Sequence, residues 1–308
     1  MNLSPIVLFT YRRIPEETIE SLLQNNLAKE SELFIYSDGY KSDADKNDVL
    51  EVREYLKTID GFKNIKIVES PYNKGLANSI IGGVTEVINK YGKVIVLEDD
   101  LIVSTDFLEY MNNALDFYKN DQRIWSISGY GPQLPCLKNY NKDLYLSPRG
   151  SSWGWATWKD RWNSVDWDVK DFDKLKYNKE MRKKFELGGD DMYRMLELQM
   201  LGKIDSWAIR WCFSQFLQNK YTVYPVKSKV VNDGFKDNKG THNSGRSSKW
   251  DVKVHDNVVV FENLKVDKYI VYCFKKYYDI IWFTKIGYFL RKHAGYKMAK
   301  KIIGKIKE

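Results

Sequence analysis

Cysteine is scarce in this 308-residue chain: Cys136, Cys212 and Cys273 are far apart, odd in number, and form no Cys-x-x-Cys pair. That pattern argues against a disulfide framework and a zinc site, and it suits a reducing compartment. No window of about 18 uninterrupted apolar residues occurs, so a membrane-spanning helix is not expected. The opening "MNLSPIVLFTYRR" lacks a basic start, a long apolar run and a small-residue cleavage site; the expectation is a cytoplasmic chain. Repeats, low-complexity tracts and Pro/Gly/Ser-rich linkers are also missing, so nothing cuts the sequence into separate units.

What is present begins with a core. Hydrophobic residues make up 43% of the chain, enough for one large or two modest domains. The net charge of +8 has a location: residues 265–308 hold twelve Lys or Arg against three Asp or Glu, and the rest of the chain is close to neutral. That tail mixes aromatic and aliphatic residues with lysines, which suits an amphipathic segment on the anionic inner face of a cell membrane. A helical pair packing its aromatic face on the main domain would leave the same pattern. The basic excess is confined to the tail and no recognised nucleic-acid motif accompanies it, so no nucleic-acid partner is expected.

The first hundred residues alternate strand and helix signals. Ile6 to Phe9 reads as a strand, followed by Pro15 at a first helical position and Ile19, Leu22 and Leu23 on one helix face. Leu33 to Tyr36 is a second strand ending in Ser37-Asp38-Gly39, and Val49, Val52, Leu56 and Ile59 follow at helical spacing. Ile65 to Val68 is a third strand; Leu76, Ile80, Val84, Val87 and Ile88 mark the next helix, and Val94 to Leu97 a fourth strand. Ser104 or Thr105 can cap a helix buried through Phe107, Leu108, Met111, Leu115 and Tyr118. The alternation predicts an α/β fold, a mainly parallel Rossmann-like sheet with helices on both faces, plus a C-terminal helical basic extension. Residues 1–121 read as a nucleotide-binding half, 122–264 as an acceptor half, and 265–308 as the extension.

Ligands of such sheets bind beyond the carboxyl ends of the strands. Four polar loops fall there: Tyr11-Arg12-Arg13, Asp38-Gly39, Asn73-Lys74-Gly75, and Glu98-Asp99-Asp100. Three consecutive acids directly after a buried strand are unusual. Adjacent carboxylates can hold a hard divalent cation, leaving positions for phosphate oxygens and water; alternatively they satisfy backbone groups of the turn before the next helix. A dinucleotide dehydrogenase needs a Gly-rich turn after its first strand, and "FTYRRIPEE" has no glycine. The same lack weakens a sugar-phosphate nucleotidylyltransferase.

"VIVLEDDLIVSTDFLEYMNNAL" resembles the acidic metal motif and following helix of GT-A fold glycosyltransferases, especially bacterial family-2-like members related to the N-acetylglucosaminyltransferase I group. "RGSSWGWATWKDRW" and "YPVKSKVVNDGFKDNKGTH" are similar to their tryptophan-rich acceptor segment and C-terminal loop. The similarity spans about residues 5–245, and the motif begins with Glu, as in that group. The resemblance implies Asp100 as the ligand of Mn2+ or Mg2+, with Glu98 and Asp99 on the ribose or donor-sugar side. It implies Asp38 at the nucleoside and Thr10, Tyr11, Arg12, Asn73, Lys74 and Gly75 lining the donor pocket. Asp205 stands where the general base is expected, Asp190 and Asp191 being the reserves in an acidic loop made mobile by a glycine pair; Asp205 could equally cap a helix.

Trp153, Trp155 and Trp158 offer rings for sugar contact, or form a packed core segment, and Gly154 between two of them suggests close backbone approach. His242 reads as a diphosphate or metal contact or as a surface histidine, while His255 and His293 fit no pattern. The reading is a metal-dependent inverting glycosyltransferase using a nucleoside-diphosphate sugar, UDP-linked by preference. Its expected acceptor is a glycan or lipid-linked glycan of bacterial surface polysaccharide or lipopolysaccharide. A nucleotidylyltransferase and a non-catalytic glycan-binding protein are the alternatives.

Overall fold

The computed structural model describes residues 2–234 and 252–280. The first half follows the expected order: β1 (Ile6–Thr10), α1 (Glu16–Leu23), β2 (Glu32–Ser37), α2 (Asp43–Leu56), β3 (Asn64–Glu69), α3 (Leu76–Tyr91) and β4 (Lys93–Glu98). After the acids come β5 (Leu101–Val103), α4 (Phe107–Tyr118), β6 (Ile124–Ser128), β7 (Leu144–Ser147), β8 (Trp155–Trp158) and α5 (Lys159–Asn163). The helices α6 (Phe172–Tyr177), α7 (Lys179–Phe185), α8 (Asp191–Met200) and α9 (Trp207–Leu217) follow, then β9 (Tyr221–Pro225), β10 (Val230–Asn232) and α10 (Lys268–Tyr278).

Eight strands form one sheet in the order β3-β2-β1-β4-β8-β6-β9-β7. β1 pairs in parallel with β2 and β4, and β2 with β3, so the first four strands carry their carboxyl ends to one edge. The antiparallel pairings belong to the second half: β8 runs against both β4 and β6, and β7 against β9. Apolar residues alternate between two covered faces. Ile6, Leu8, Leu33, Ile35, Ile95 and Leu97 pack toward α1, α2 and α4. Val7, Phe9, Phe34, Val94 and Val96 pack toward α3 and a tryptophan cluster from β6, β8, α5 and α9. A strand buried on both sides has no reason to alternate with polar residues, which is why β1 and β4 read as unbroken apolar runs.

Several local expectations change. Leu23 is exposed although Ile19 and Leu22 are buried, and Leu76 at the start of α3 is exposed too. Pro15 stands one position before the first helical residue. Neither Ser104 nor Thr105 is the N-cap of α4. Asp106 takes that position, with its carboxylate accepting from the Lys229 ammonium and the Asn257 amide.

The segment after residue 264 also begins differently from a free surface tail. α10 buries Ile270, Val271 and Phe274, and Ile270 and Phe274 join Leu134, Leu137, Tyr145 and Tyr224 in one apolar cluster. Residues 268–278 are therefore part of the packed fold, and the boundary at 264 falls ahead of a structural helix. Among the described residues no helix is long and apolar enough to cross a membrane.

Candidate active site

The register of the sheet assembles the site. Phe9 of β1 lies opposite Glu98 of β4, so the chain leaving β1 meets the acids leaving β4. The Tyr11 amide donates to Asp99 Oδ2 at 3.2 Å. Burial pushes the Glu98 carboxyl well above the usual carboxylate range, with repulsion from Asp100 and Asp99 adding to it. Asp99 is pushed up to about 7, first by burial and then by Asp100, while the Tyr11 amide and Thr10 hydroxyl act in the opposite direction. Like charges crowded in a partly desolvated place raise one another in this way.

The second and third loops are joined through Asp38. Its Oδ1 accepts from the amides of Gly39 and Lys74 at 2.9 and 2.8 Å; its Oδ2 accepts from the Gly75 amide and Asn73 Nδ2 at 2.9 and 3.1 Å. Four donors occupy this buried carboxylate, so within the protein it fixes the 73–75 loop. Gly75 has φ +77° and opens α3, a backbone state that favours glycine. Arg12 Nη1 contacts Asp45 Oδ1 at 2.7 Å, and the Tyr11 hydroxyl donates to the other oxygen at 3.0 Å. The Lys74 side chain is exposed.

Asp100 receives a partner from far along the chain. β10 pairs antiparallel with β5, placing Asn232 opposite Leu101. The Asn232 amide then donates to Asp100 Oδ2 at 2.9 Å, and the Asp233 amide donates to the Asp100 carbonyl at 2.8 Å. A Cβ at Gly234 would lie 2.6 Å from Asp100 Oδ2, so only glycine leaves this oxygen uncrowded. Sequence reasoning missed Asn232 and Gly234. Their signal was the short apolar step Val230-Val231 followed by Asn-Asp-Gly, which matches the equally short Leu101-Ile102-Val103.

In the second half of the chain, Asp205 is exposed and its Oδ1 lies 2.9 Å from Arg210 Nη2. Ser206, not Asp205, caps α9 by accepting from the Ile209 amide. Trp207 stacks on Trp155 with ring centres 5.1 Å apart, and Trp155 pairs with Val96, which brings the start of α9 toward the acidic end of β4. The reserve bases have other employment. Asp191 is buried in a two-point pair with Arg149, at 2.7 and 2.9 Å. Asp190 accepts from the Ile280 amide at 2.8 Å, tying its loop to the end of the C-terminal helix. Gly189 also allows close packing there: a Cβ at this position would meet Tyr278 Cβ at 2.7 Å.

Trp155 is 1% exposed and stacked between Trp162 and Trp207. This corrects the expectation that it touches sugar, since neither ring face is open; Trp158 is buried as well. Trp153 is half-buried and stands edge-on to Tyr130, ring centres 4.7 Å apart. Gly154 has φ +58°, and a Cβ there would lie 2.7 Å from Val230 Cγ2, which is the close approach the sequence suggested. His242 lies outside the described residues. A cleft of about 200 Å³ runs beside Trp153, lined by Tyr130, Arg149, Ser152, Ala208 and Tyr278 among others. A larger cavity of about 340 Å³ opens between Pro5, Glu32, Lys63 and Tyr91, at the amino ends of the strands and away from the acids.

The residues at the strand end fit a divalent cation in one particular way. Among the described residues no three His, Cys, Asp or Glu side chains are grouped to hold a metal ion by themselves. Asp100, oriented by Asn232 beside Gly234 in a neighbourhood where acids raise one another, suits a cation whose other positions go to phosphate oxygens and water.

The mainly parallel half of the sheet, with four strand ends converging on one edge and helices on both faces, is the Rossmann-like arrangement on which nucleotide sites form. The chain belongs to the GNT-I family, whose sequence pattern matches residues 1–218. No curated protein matches the chain. Among solved structures, a galactosyltransferase LgtC in complex with donor and acceptor sugar analogues shows 10% identity and a TM-score of 0.37, covering 75% of this chain and 74% of that one. UDP-glucose pyrophosphorylase complexed with UDP-glucose shows 11% identity and a TM-score of 0.36, covering 74% and 93%. A 4-diphosphocytidyl-2C-methyl-D-erythritol synthase from Anaerococcus prevotii shows 12% identity and 0.34, covering 72% and 86%. These are likenesses of outline and carry no argument about activity.

Proposed function

We propose that the chain is a metal-dependent, inverting glycosyltransferase that moves a hexosyl or N-acetylhexosaminyl group from a nucleoside-diphosphate sugar, UDP-linked by preference, to a glycan hydroxyl. The observation that carries the reading is the acidic strand end, where Asp100 is oriented by Asn232 and Gly234 packs so close that a side chain there would meet the Asp100 carboxylate. Asp100 would hold Mn2+ or Mg2+, which when bound offsets the negative charge growing on the departing diphosphate. Glu98 and Asp99 face the ribose or donor sugar, and the first and third loops, fixed by Asp45 and Asp38, shape the nucleotide pocket.

Asp205 acts as general base, accepting the proton of the acceptor hydroxyl as its oxygen bonds to the anomeric carbon and the bond to diphosphate breaks on the opposite side. Arg210 orients that carboxylate. The acceptor is a sugar on a lipid-linked or lipid-anchored glycan of bacterial surface polysaccharide, supported by the basic aromatic composition of the tail. Co-sedimentation with anionic and neutral vesicles tests the membrane part, comparing the full chain with one stopped after Ile280. Equal sedimentation of both would remove it.

Calorimetric titration with UDP, GDP and dTDP in Mn2+ tests the donor side, repeated in EDTA and with Asp100→Ala. UDP binding that collapses in both controls is the expected result. Binding indifferent to both would leave the acids a structural role and overturn the reading.

A further inference from the structure

The three cysteines are far apart in sequence, and the fold brings two of them together. Cys136 is the middle residue of a short 3-10 turn, Pro135–Leu137, that precedes the edge strand β7, and Cys273 sits midway along α10. The turn and the helix pack directly on each other. Leu134 and Leu137 from one side and Ile270 and Phe274 from the other join a single apolar cluster, and both cysteines pack against it. Apolar contacts thus flank each cysteine along its own element and hold the two elements in place.

Between those contacts the two thiols meet. The Cys136 thiol donates to the Cys273 sulfur, and both residues are half-buried, so a small molecule can reach them. Cys212 differs, being buried with its sulfur 3.9 Å from the Gly150 carbonyl oxygen. Partial burial, followed by the bond to Cys273, pushes the Cys136 thiol up to about 12, which keeps it protonated near neutral pH. A protonated thiol is a poor nucleophile. Cys136 is therefore suited to the second step of a thiol exchange, when a neighbouring sulfur is already activated, and Cys273 to the first.

We infer that Cys136 and Cys273 form a redox-responsive pair that closes to a disulfide by exchange with a low-molecular-weight disulfide, oxidised glutathione serving as the probe. In the first step the Cys273 sulfur bonds to one sulfur of the oxidant, whose S–S bond breaks, and one glutathione departs carrying the Cys273 proton. In the second the Cys136 sulfur bonds to the Cys273 sulfur and displaces the other glutathione, which takes the Cys136 proton. The protein loses two electrons and two protons, and the oxidant gains both. Reduced glutathione in excess runs the exchange backwards.

The consequence falls on α10. In the reduced protein the helix is held by packing and by contacts at its end, where the Tyr277 and Tyr130 hydroxyls are 3.0 Å apart and the Tyr278 ring lies 4.2 Å from the Arg149 guanidinium. The disulfide ties it covalently to the turn before β7 and closes a loop of nearly half the chain. Long closed loops restrict the unfolded chain most, so the oxidised protein is the more stable one. Oxidation also fixes the cover over an edge strand that would otherwise be open to pairing. None of this depends on the donor or acceptor assignments.

The test equilibrates the full chain with mixtures of reduced and oxidised glutathione, followed by rapid alkylation, peptide mapping by mass spectrometry without reduction, and thermal melting. The expected result is one cross-linked peptide pair holding Cys136 and Cys273, and a melting temperature higher by several degrees that returns to its starting value on reduction. Cys136→Ser and Cys273→Ser lose the rise, and Cys212→Ser keeps it. Mapping of the unsubstituted protein reports even if a variant folds poorly. The inference is overturned by thiols that stay reduced across the whole series, by glutathione retained on either cysteine without a cross-link, by a cross-link between two copies of the chain, or by an internal bond that leaves the melting temperature unchanged.

Discussion

The side-chain amide of Asn232 lies 2.9 Å from Asp100 Oδ2, linking two residues 132 positions apart in the chain. A carboxylate that is to hold a cation needs its orientation fixed, and partners of this kind commonly matter tenfold to a hundredfold for affinity or activity. Asn232→Ala is expected to weaken Mn2+-dependent UDP binding by about tenfold with little change in thermal stability. Calorimetry with unchanged affinity would show that Asp100 is oriented without it.

Asp99 gives a pH prediction with a definite sign. Its folded value of about 7 lies above the ordinary 3.8, so the folded protein keeps a proton that the unfolded chain has lost. The associated stability is complete below pH 4 and declines as pH rises through about 7. In EDTA, Asp99→Asn is therefore expected to exceed the wild type at pH 8, by on the order of 1–3 kcal/mol after allowance for partial solvation, with the advantage gone near pH 4. Urea unfolding at the two pH values checks it; an equal difference at both would rule out the repulsion.

Gly154→Ala should be costly twice over, because its φ of +58° disfavours a side chain and the new Cβ meets Val230 Cγ2. A left-handed non-glycine residue costs roughly 1–2 kcal/mol, and the clash adds to that. Val230→Ala in the same chain is expected to recover the clash part and leave the backbone part. A double-mutant cycle in denaturant measures the coupling; strict additivity would mean that β10 simply moves aside.

Lys229 is fully buried, with its ammonium bonded to Asp106 and to the carbonyls of His255 and Asn257 at 2.8 and 2.9 Å. Lys229→Met fills similar space but strands these acceptors. The expected loss is about 3–5 kcal/mol in equilibrium unfolding, as for other broken buried pairs. A loss below 1 kcal/mol would indicate that water reaches Asp106 easily.

The C-terminal helix supplies the last prediction. Ile270, Val271 and Phe274 are all buried, each worth about 1.5–3 kcal/mol. A chain ended after Leu264 should unfold at clearly lower temperature than one ended after Ile280. Matching melting curves would make α10 dispensable to the fold.

The parallel half was legible because each strand is buried on both faces and each helix carries an apolar stripe; Val94 to Leu97 and the α3 stripe left little choice. The acids announced themselves by ending a buried strand. Asn232, by contrast, is an ordinary polar residue whose importance comes from a three-residue pairing with β5, and short pairings leave almost no periodicity to read. Trp153 and Trp155 show the same limit at closer range. They are two residues apart, yet one lines a cleft and the other is sealed in a tryptophan stack, because Trp153 precedes β8 and Gly154, at φ +58°, turns the chain before the strand begins at 155. Likewise Asp191 and Asp205 are both acids near helix starts, and only the Arg149 partner, invisible in sequence, removes Asp191 from service.

The ribbon of β5 and β10 also sets an order of assembly. On a ribosome, Glu98 to Asp100 emerge while more than half of the chain is still unmade, and Asn232 emerges only after all the elements up to β9. The early product carries a cluster of acids with no distal partner to orient them. On the metal-dependent reading proposed above, competence for a cation would arrive late in synthesis, when the strand from the far end of the chain docks, and a fragment ending at residue 218 would possess the acids without the strand that orients them.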